Sequence, residues 1–267
     1  MAEFTGKTLV ITGASEGIGR ALALAAAEQK PKLVLAARNR ERLESLAEEV
    51  RARGAEALAY PMDVTREVEC RALIEHAVAA YGGIDVLVNN AGGTMWTRLD
   101  EITDLGIFER LMRLNYLGSV YCTYHALAHL KRSRGRIVAV SSVAGLTGVP
   151  CRTAYSASKH AMIGFFDSLR IELAESGVSV TVVTPDFVVT EIHRRALGAD
   201  GRPLGKSPLD ESKVMTADQC ARLMLAAMEK RERMLIPSLR GKAGRVLKLL
   251  APALVDRIAA RAIEKKH

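Results

Sequence analysis

Tyr155 and Lys159 stand four residues apart in a segment of helical character, which puts both side chains on one helix face. A phenol with a pKa of about 10 is a poor acid–base catalyst near neutrality, and a neighbouring ammonium stabilises the phenolate and draws that pKa toward the working range. Ser142, thirteen residues upstream, follows an apolar run, and its hydroxyl can hold a substrate oxygen beside the tyrosine. This trio suits proton transfer to or from a carbonyl or alcohol oxygen. A tyrosine and a lysine at this spacing are common in any chain, so the surroundings must carry the reading.

The first surrounding is a glycine loop. Gly13-Ala14-Ser15-Glu16-Gly17-Ile18-Gly19 follows the apolar run 8–12 and opens a helical pattern. Glycines there let the backbone turn sharply and approach a pyrophosphate, while the helix N-terminus offers free N–H groups and the positive end of its dipole. The spacing is G-x-x-x-G-x-G, not the commoner G-x-G-x-x-G. The next apolar run ends Ala36-Ala37-Arg38-Asn39-Arg40. No carboxylate stands there for a ribose 2′-hydroxyl, and Arg38 can pair bidentately with a 2′-phosphate. NADP(H) is therefore expected in preference to NAD(H). The plainer role for Arg38 is to open the next helix on the surface.

The elements that must position these residues alternate along the chain. Apolar runs at 8–12, 33–37, 55–60, 85–89, 136–141, 178–184 and 233–236 read as strands, several buried on both faces. Helical patterns occupy 18–28, 40–53, 66–80, 104–130, 153–175 and 216–230. The alternation predicts an α/β fold, a Rossmann-like doubly wound parallel sheet with helices on both faces. Residues 1–239 form one catalytic domain in this reading. It includes a glycine- and proline-rich substrate loop at 187–215 that is expected to be mobile. Residues 240–267 form a basic amphipathic tail, with Leu254, Val255, Ile258, Ala262 and Ile263 in a helical stripe that Pro252 can open.

The ordered set of motifs resembles the short-chain dehydrogenase/reductase family, in its single-domain NADP-preferring branch. The match runs over roughly residues 5–240: Thr12-Gly13 with Gly17-Ile18-Gly19, Asp63, Asn89-Asn90-Ala91-Gly92, Asn115, Ser142, and Tyr155 with Lys159. The resemblance implies that Tyr155 is the acid/base and that Ser142 positions and polarises the carbonyl. Lys159 would lower the tyrosine pKa and hold the nicotinamide ribose, and Asn115 would hold a water joining Lys159 to solvent. It places Asp63 and Val64 near the adenine and Asn89 in support of the central strands. Further cofactor contacts are expected from Gly13 to Gly19, at Asn90, Ala91 and Gly92, and at Tyr155, Lys159, Pro185 and Thr190. The chain departs from the family at Pro185-Asp186, where Pro-Gly is usual. Relatives of this kind pair long helices, so a homodimer or homotetramer through 104–130 and 153–175 is implied.

Composition bounds the rest. Hydrophobic residues are 49% and charged residues 25% of the 267, ordinary for a globular enzyme. Of the net charge of +8, six units belong to 240–267, where eight Lys/Arg face Asp256 and Glu264. Such a tail suits weak contact with an anionic membrane surface or an acidic partner, with a solvated helix face as the plainer reading. No nucleic-acid reading motif accompanies it, so no nucleic acid is expected as partner. Cys70, Cys122, Cys151 and Cys220 have neither zinc nor disulfide spacing, and His125 and His129 lack a third ligand, so no metal is expected. Without a signal-like or membrane-length apolar run, the expected place is the cytoplasm, with peripheral membrane contact left open. Met95, Trp96, Leu146, Val149, Phe187, Val188 and Val189 make an apolar candidate pocket, expected to take a hydrophobic or lipid-like ketone, aldehyde or alcohol. The reading from another class is an NADPH-binding sensor or scaffold with little turnover.

Overall fold

A computed structural model describes residues 3–208 and 214–264, the side chains of 262–264 excepted. Seven parallel strands form one sheet in the order β3-β2-β1-β4-β5-β6-β7. They are β1 (Thr8–Thr12), β2 (Lys32–Ala37), β3 (Glu56–Pro61), β4 (Val86–Asn89), β5 (Arg136–Val140), β6 (Ser179–Val183) and β7 (Met234–Leu235). The central strands β1, β4 and β5 are buried at every residue, which is why they read as unbroken apolar runs. Strand order reverses between β1 and β4, and that switch point opens a crevice at the carboxyl ends of the strands.

Helices cover both faces. On one, α1 (Gly17–Ala27), α2 (Arg40–Ala52) and α7 (Ala217–Glu229) build a core that includes Leu22, Leu33, Leu43 and Met224. On the other, α3 (Glu67–Tyr81), α5 (Gly118–Ser133) and α6 (Thr153–Glu172) bury Leu73, Cys122 and Phe166 against the sheet. The helix expected at 104–130 begins as α4 (Gly106–Leu111), widens into a π-helical stretch at Met112–Leu117 and continues as α5. π-turns of this kind re-aim side chains and recur at functional sites. Here the stretch carries Asn115.

The last helix opens at Pro252, as α9 (Pro252–Glu264), but a further helix precedes it, α8 (Leu239–Leu250). Its Leu239, Val246, Leu249 and Leu250 are exposed, so no pattern of burial marked it in the sequence. Ser238 caps it, its Oγ accepting from Gly241 N at 2.9 Å. Gly241 is buried, and a Cβ there would lie 2.8 Å from Ile236 and 2.9 Å from Val143, so α8 sits tightly on the loop after β5.

Over its described residues the long loop after β6 is pinned by backbone hydrogen bonds. Leu197 N donates to Thr94 O and Trp96 N to Leu197 O, each at 2.9 Å, and Val189 N donates to Met215 O at 2.9 Å. Residues 209–213 of that loop and 265–267 of the tail lie outside the described residues.

Candidate active site

Residues at the carboxyl ends of β1 to β6 line one cleft of about 1240 Å³. At its nucleotide half the loop after β1 is built to lie flat. Gly13 has φ +65°, and a Cβ on it would sit 2.8 Å from Ala91 Cα; one on Gly19 would sit 2.5 Å from both Asn90 Nδ2 and Gly13 O. No other residue fits either place without backbone movement. Asn90 and Thr12 bolt this loop to the one after β4. Asn90 Nδ2 donates to Thr12 O at 2.9 Å and Gly13 O at 3.1 Å, while Thr12 Oγ1 accepts from Asn90 N at 3.0 Å and Ala91 N at 3.1 Å.

Ser15, Glu16, Gly17 and Ile18 continue the lining at the N-terminus of α1, and Arg38 and Asn39 edge it from the end of β2. Arg38 is exposed and makes no hydrogen bond or ion pair among the described residues. Glu16 is committed to protein partners: Arg42 Nη1 lies 2.5 Å from one carboxylate oxygen and Arg195 Nη1 2.6 Å from the other. Asp63 accepts from Thr65 N at 2.9 Å and lines the cleft with Val64, as do Pro185 and Thr190 at the end of β6. Glycine cradle, open N-terminus and unpaired guanidinium fit a dinucleotide phosphate chain.

The same cleft carries the candidate catalytic groups. Ser142, Tyr155 and Lys159 all line the cleft and all are buried. Ser142 accepts from Ala144 N at 3.1 Å and donates to Pro185 O at 3.3 Å. Lys159 Nζ donates to Val140 O at 2.8 Å and lies 5.8 Å from the centre of the Tyr155 ring. Asn115 stands behind the cleft. Its Nδ2 donates to Ser158 Oγ at 2.8 Å and Gly93 O at 3.1 Å, and its Oδ1 accepts from Gly93 N at 2.8 Å. Ser158 Oγ in turn donates to Tyr155 O at 2.8 Å, so the π-helical stretch braces the turn of α6 that bears the tyrosine. Asn89 ties β4 to α5 through a 2.9 Å bond from its Nδ2 to Thr123 Oγ1.

The electrostatics depart from expectation. Burial pushes the Tyr155 phenol up, and the Ser142 hydroxyl and the Arg152 guanidinium pull against it. Burial also brings Lys159 down to about 7. A lysine that gives up its charge this readily cannot dominate its neighbour, and burial outweighs the expected lowering of the tyrosine.

Arg152 is the residue that sequence reasoning passed over. It opens α6 directly before the catalytic-type turn and is only 4% exposed. Cys151 ahead of it adopts a left-handed φ of +61° and accepts from Thr97 N at 3.0 Å, which turns the chain inward. The guanidinium carbon then lies 4.5 Å from the Trp96 ring centre, 5.0 Å from Phe187 and 5.7 Å from Tyr155. Its Nε and Nη2 are buried without a hydrogen-bond partner among the described residues, and the side chain lines the cleft.

Of the apolar candidates, Leu146, Val149, Phe187 and Val188 line the cleft. Met95 and Trp96 are instead buried behind its wall, and Val189 lines a separate small hollow beside Arg20. Cys151 packs with Trp96 and Ala196, and burial pushes its thiol up, away from reactivity. The cleft gains a wall from the tail: Arg240, Gly241, Gly244 and Arg245 of α8 and Val255, Ile258 and Ala259 of α9. Asp186 fastens this wall. Arg240 donates from Nε to Oδ2 at 2.8 Å and from Nη2 to Oδ1 at 2.6 Å, and Ser238 Oγ lies 3.3 Å from Oδ2.

The short chain dehydrogenase family model matches residues 7–199. An 11-beta-hydroxysteroid dehydrogenase of Pinus massoniana is 36% identical over 238 residues, 86% of this chain and 67% of that protein. A dehydrogenase/reductase SDR family protein 7-like of Dictyostelium discoideum is 33% identical over 96% of this chain and 81% of its own. A short chain dehydrogenase/reductase of Burkholderia phymatum, solved in complex with NAD, superposes with a TM-score of 0.84 at 28% identity, covering 95% of this chain and 96% of that one. An alcohol dehydrogenase of the archaeon Thermococcus sibiricus, complexed with 5-hydroxy-NADP, gives 0.74 at 27% identity, covering 86% and 95%.

Proposed function

The chain belongs to the short chain dehydrogenase family and is an NAD(P)-dependent oxidoreductase, and from that premise we propose that it reduces a carbonyl group to an alcohol, or runs the reverse, with NADP(H) in preference to NAD(H). One observation carries the reading: Ser142, Tyr155 and Lys159 line the same cleft as Gly13 and Gly17 of the glycine loop. Bound nicotinamide dinucleotide supplies or accepts the hydride. Ser142 hydrogen-bonds the carbonyl oxygen. Tyr155 gives its phenolic proton to that oxygen as the carbon gains hydride, so the carbonyl becomes an alcohol and the tyrosine a phenolate. The new phenolate raises the proton affinity of the Lys159 amine beside it, the ammonium so formed stabilises the phenolate, and solvent supplies both protons.

Arg38 supports the cofactor preference, because it stands at the end of β2 with no carboxylate to pair it and none to hold a 2′-hydroxyl. Leu146, Val149, Phe187 and Val188 support a substrate with a hydrophobic body. The exposed Leu239, Leu249 and Leu250 beside Lys242, Arg245 and Lys248 support weak contact with an anionic membrane surface. Exposed Tyr124 on α5 and Ile171 on α6 suit pairing into a homodimer or homotetramer.

NADPH oxidation followed at its absorbance band across a carbonyl panel tests the reading. Tyr155→Phe is expected to cut turnover by about 100- to 10,000-fold while the NADPH dissociation constant changes little. Near-normal turnover in that variant removes Tyr155 as proton donor. Tight NADPH binding with no turnover of any carbonyl or alcohol favours the sensor.

A further inference from the structure

A guanidinium cannot shed its charge inside a protein, so a buried one needs partners for its N–H groups. Arg152 has aromatic neighbours instead. Trp96 at 4.5 Å and Phe187 at 5.0 Å offer their rings to the cation but no acceptor oxygen to its N–H groups. Nε and Nη2 remain buried and without a hydrogen-bond partner among the described residues. Those two nitrogens form one edge of the guanidinium, the edge that receives a carboxylate through two parallel hydrogen bonds. The same edge of Arg240 does so in this molecule, holding the two oxygens of Asp186 at 2.8 and 2.6 Å. Asp186 is also the carboxylate whose charge Arg152 feels, and it is already engaged.

We propose that the Nε/Nη2 edge of Arg152 binds a carboxylate carried by the substrate, so that the enzyme acts on a keto acid or hydroxy acid with an apolar body. The inference rests on the reductase reading and narrows its substrate class. The guanidinium carbon lies 5.7 Å from the Tyr155 ring centre, close enough for one small molecule to reach both groups. The carboxylate orients the carbonyl toward the phenol, and the apolar cleft wall takes the remainder. Steroid-like neutral ketones satisfy the wall but leave this edge unpaired, which costs affinity.

Two measurements test this. In the first, benzoylformate and its longer-chain keto-acid homologues are compared with their methyl esters under NADPH. The wild type is expected to favour the best acid by at least about 100-fold in kcat/KM, Arg152→Met to bring that ratio near one, and Arg152→Lys to restore part of it. NADPH titration verifies that each variant keeps a folded cleft. The second uses no variant. The chain has one tryptophan, Trp96, and it stacks on Arg152. Benzoate is expected to change Trp96 fluorescence saturably in the presence of NADP, and benzamide is not. Saturation by benzoate without turnover of any carbonyl keeps the anion site and removes the reductase reading. Turnover of esters as readily as acids, or equal responses to benzoate and benzamide, overturns the carboxylate site and leaves the reductase standing.

Discussion

Lys159 sits at the meeting of catalysis and stability. Its amine is buried, held by Val140 O and brought from 10.5 to about 7 by desolvation. The unfolded chain protonates this lysine below pH 10.5, whereas the folded chain resists until the pH falls to about 7. Folding therefore loses stability as pH drops through that window, and the penalty is constant below it. Lys159→Met, which fills similar space without charge, is expected to abolish turnover yet raise the apo-protein's stability by a few kcal/mol, on the order of 3, at pH 6 to 7. The gain is expected to shrink as unfolding is measured toward pH 10, and a gain independent of pH would show that the amine's charge is not its source. At this scale the residues with fixed spacing were legible in the sequence, since Tyr155 and Lys159, Ser142 and the glycines announce themselves locally. Arg152 did not. An arginine in a loop reads as solvated, and its burial comes from Trp96 and Phe187, which arrive from distant segments.

Asp186 shows what a single departure does to an element. A side chain replaces the family's usual glycine at the end of β6, and it reaches Arg240 and Ser238 at the start of α8. The pair is half open to water, with Arg240 67% and Asp186 14% exposed, so its direct worth is modest, about 1 kcal/mol. Its leverage lies in what it holds. Asp186→Ala is expected to speed amide exchange across residues 239–250 and raise KM several-fold, with kcat less affected. Unchanged exchange there would mean that Gly241 packing alone seats the helix. The seven strands were legible within a residue or two, and β1, β4 and β5 most plainly, because burial at every residue makes them continuous apolar runs. Helix α8 was not, since its leucines face outward, and neither was the widening at Met112–Leu117, which no local residue type dictates.

At the scale of the molecule, sheet and helices place the proposed cofactor cradle at the strand ends, and α8 with α9 adds a wall to the same cleft. The outer surface of that wall joins Leu239, Leu249 and Leu250 to Lys242 and Lys248. Co-sedimentation with phosphatidylserine vesicles is expected at low salt and is expected to weaken steeply as salt rises, with little binding to phosphatidylcholine. Equal binding to both lipids would mean that the leucines act without the charges; no binding to either would make the face a solvated one. Among the described residues no helix is long and apolar enough to cross a membrane. The doubly wound order was legible from strand–helix alternation, whereas the folding of the tail onto the cleft depends on contacts that no periodicity encodes.

The wide turn in the middle of the α4–α5 rod also sets a phase. An α-helix rotates each successive residue by about 100°, and the π-helical turn takes up one residue more than an α-helix would, so removing a residue beyond that turn, between Gly118 and Tyr121, would turn everything downstream by that angle. Thr123 would swing off Asn89 and Cys122 out of the core in the same movement. Substitutions at exposed Ala128 and Lys131 of this rod are expected to cost the fold little. Its length is the property under constraint, so variants of this protein should tolerate changes of letter there far better than a change of count.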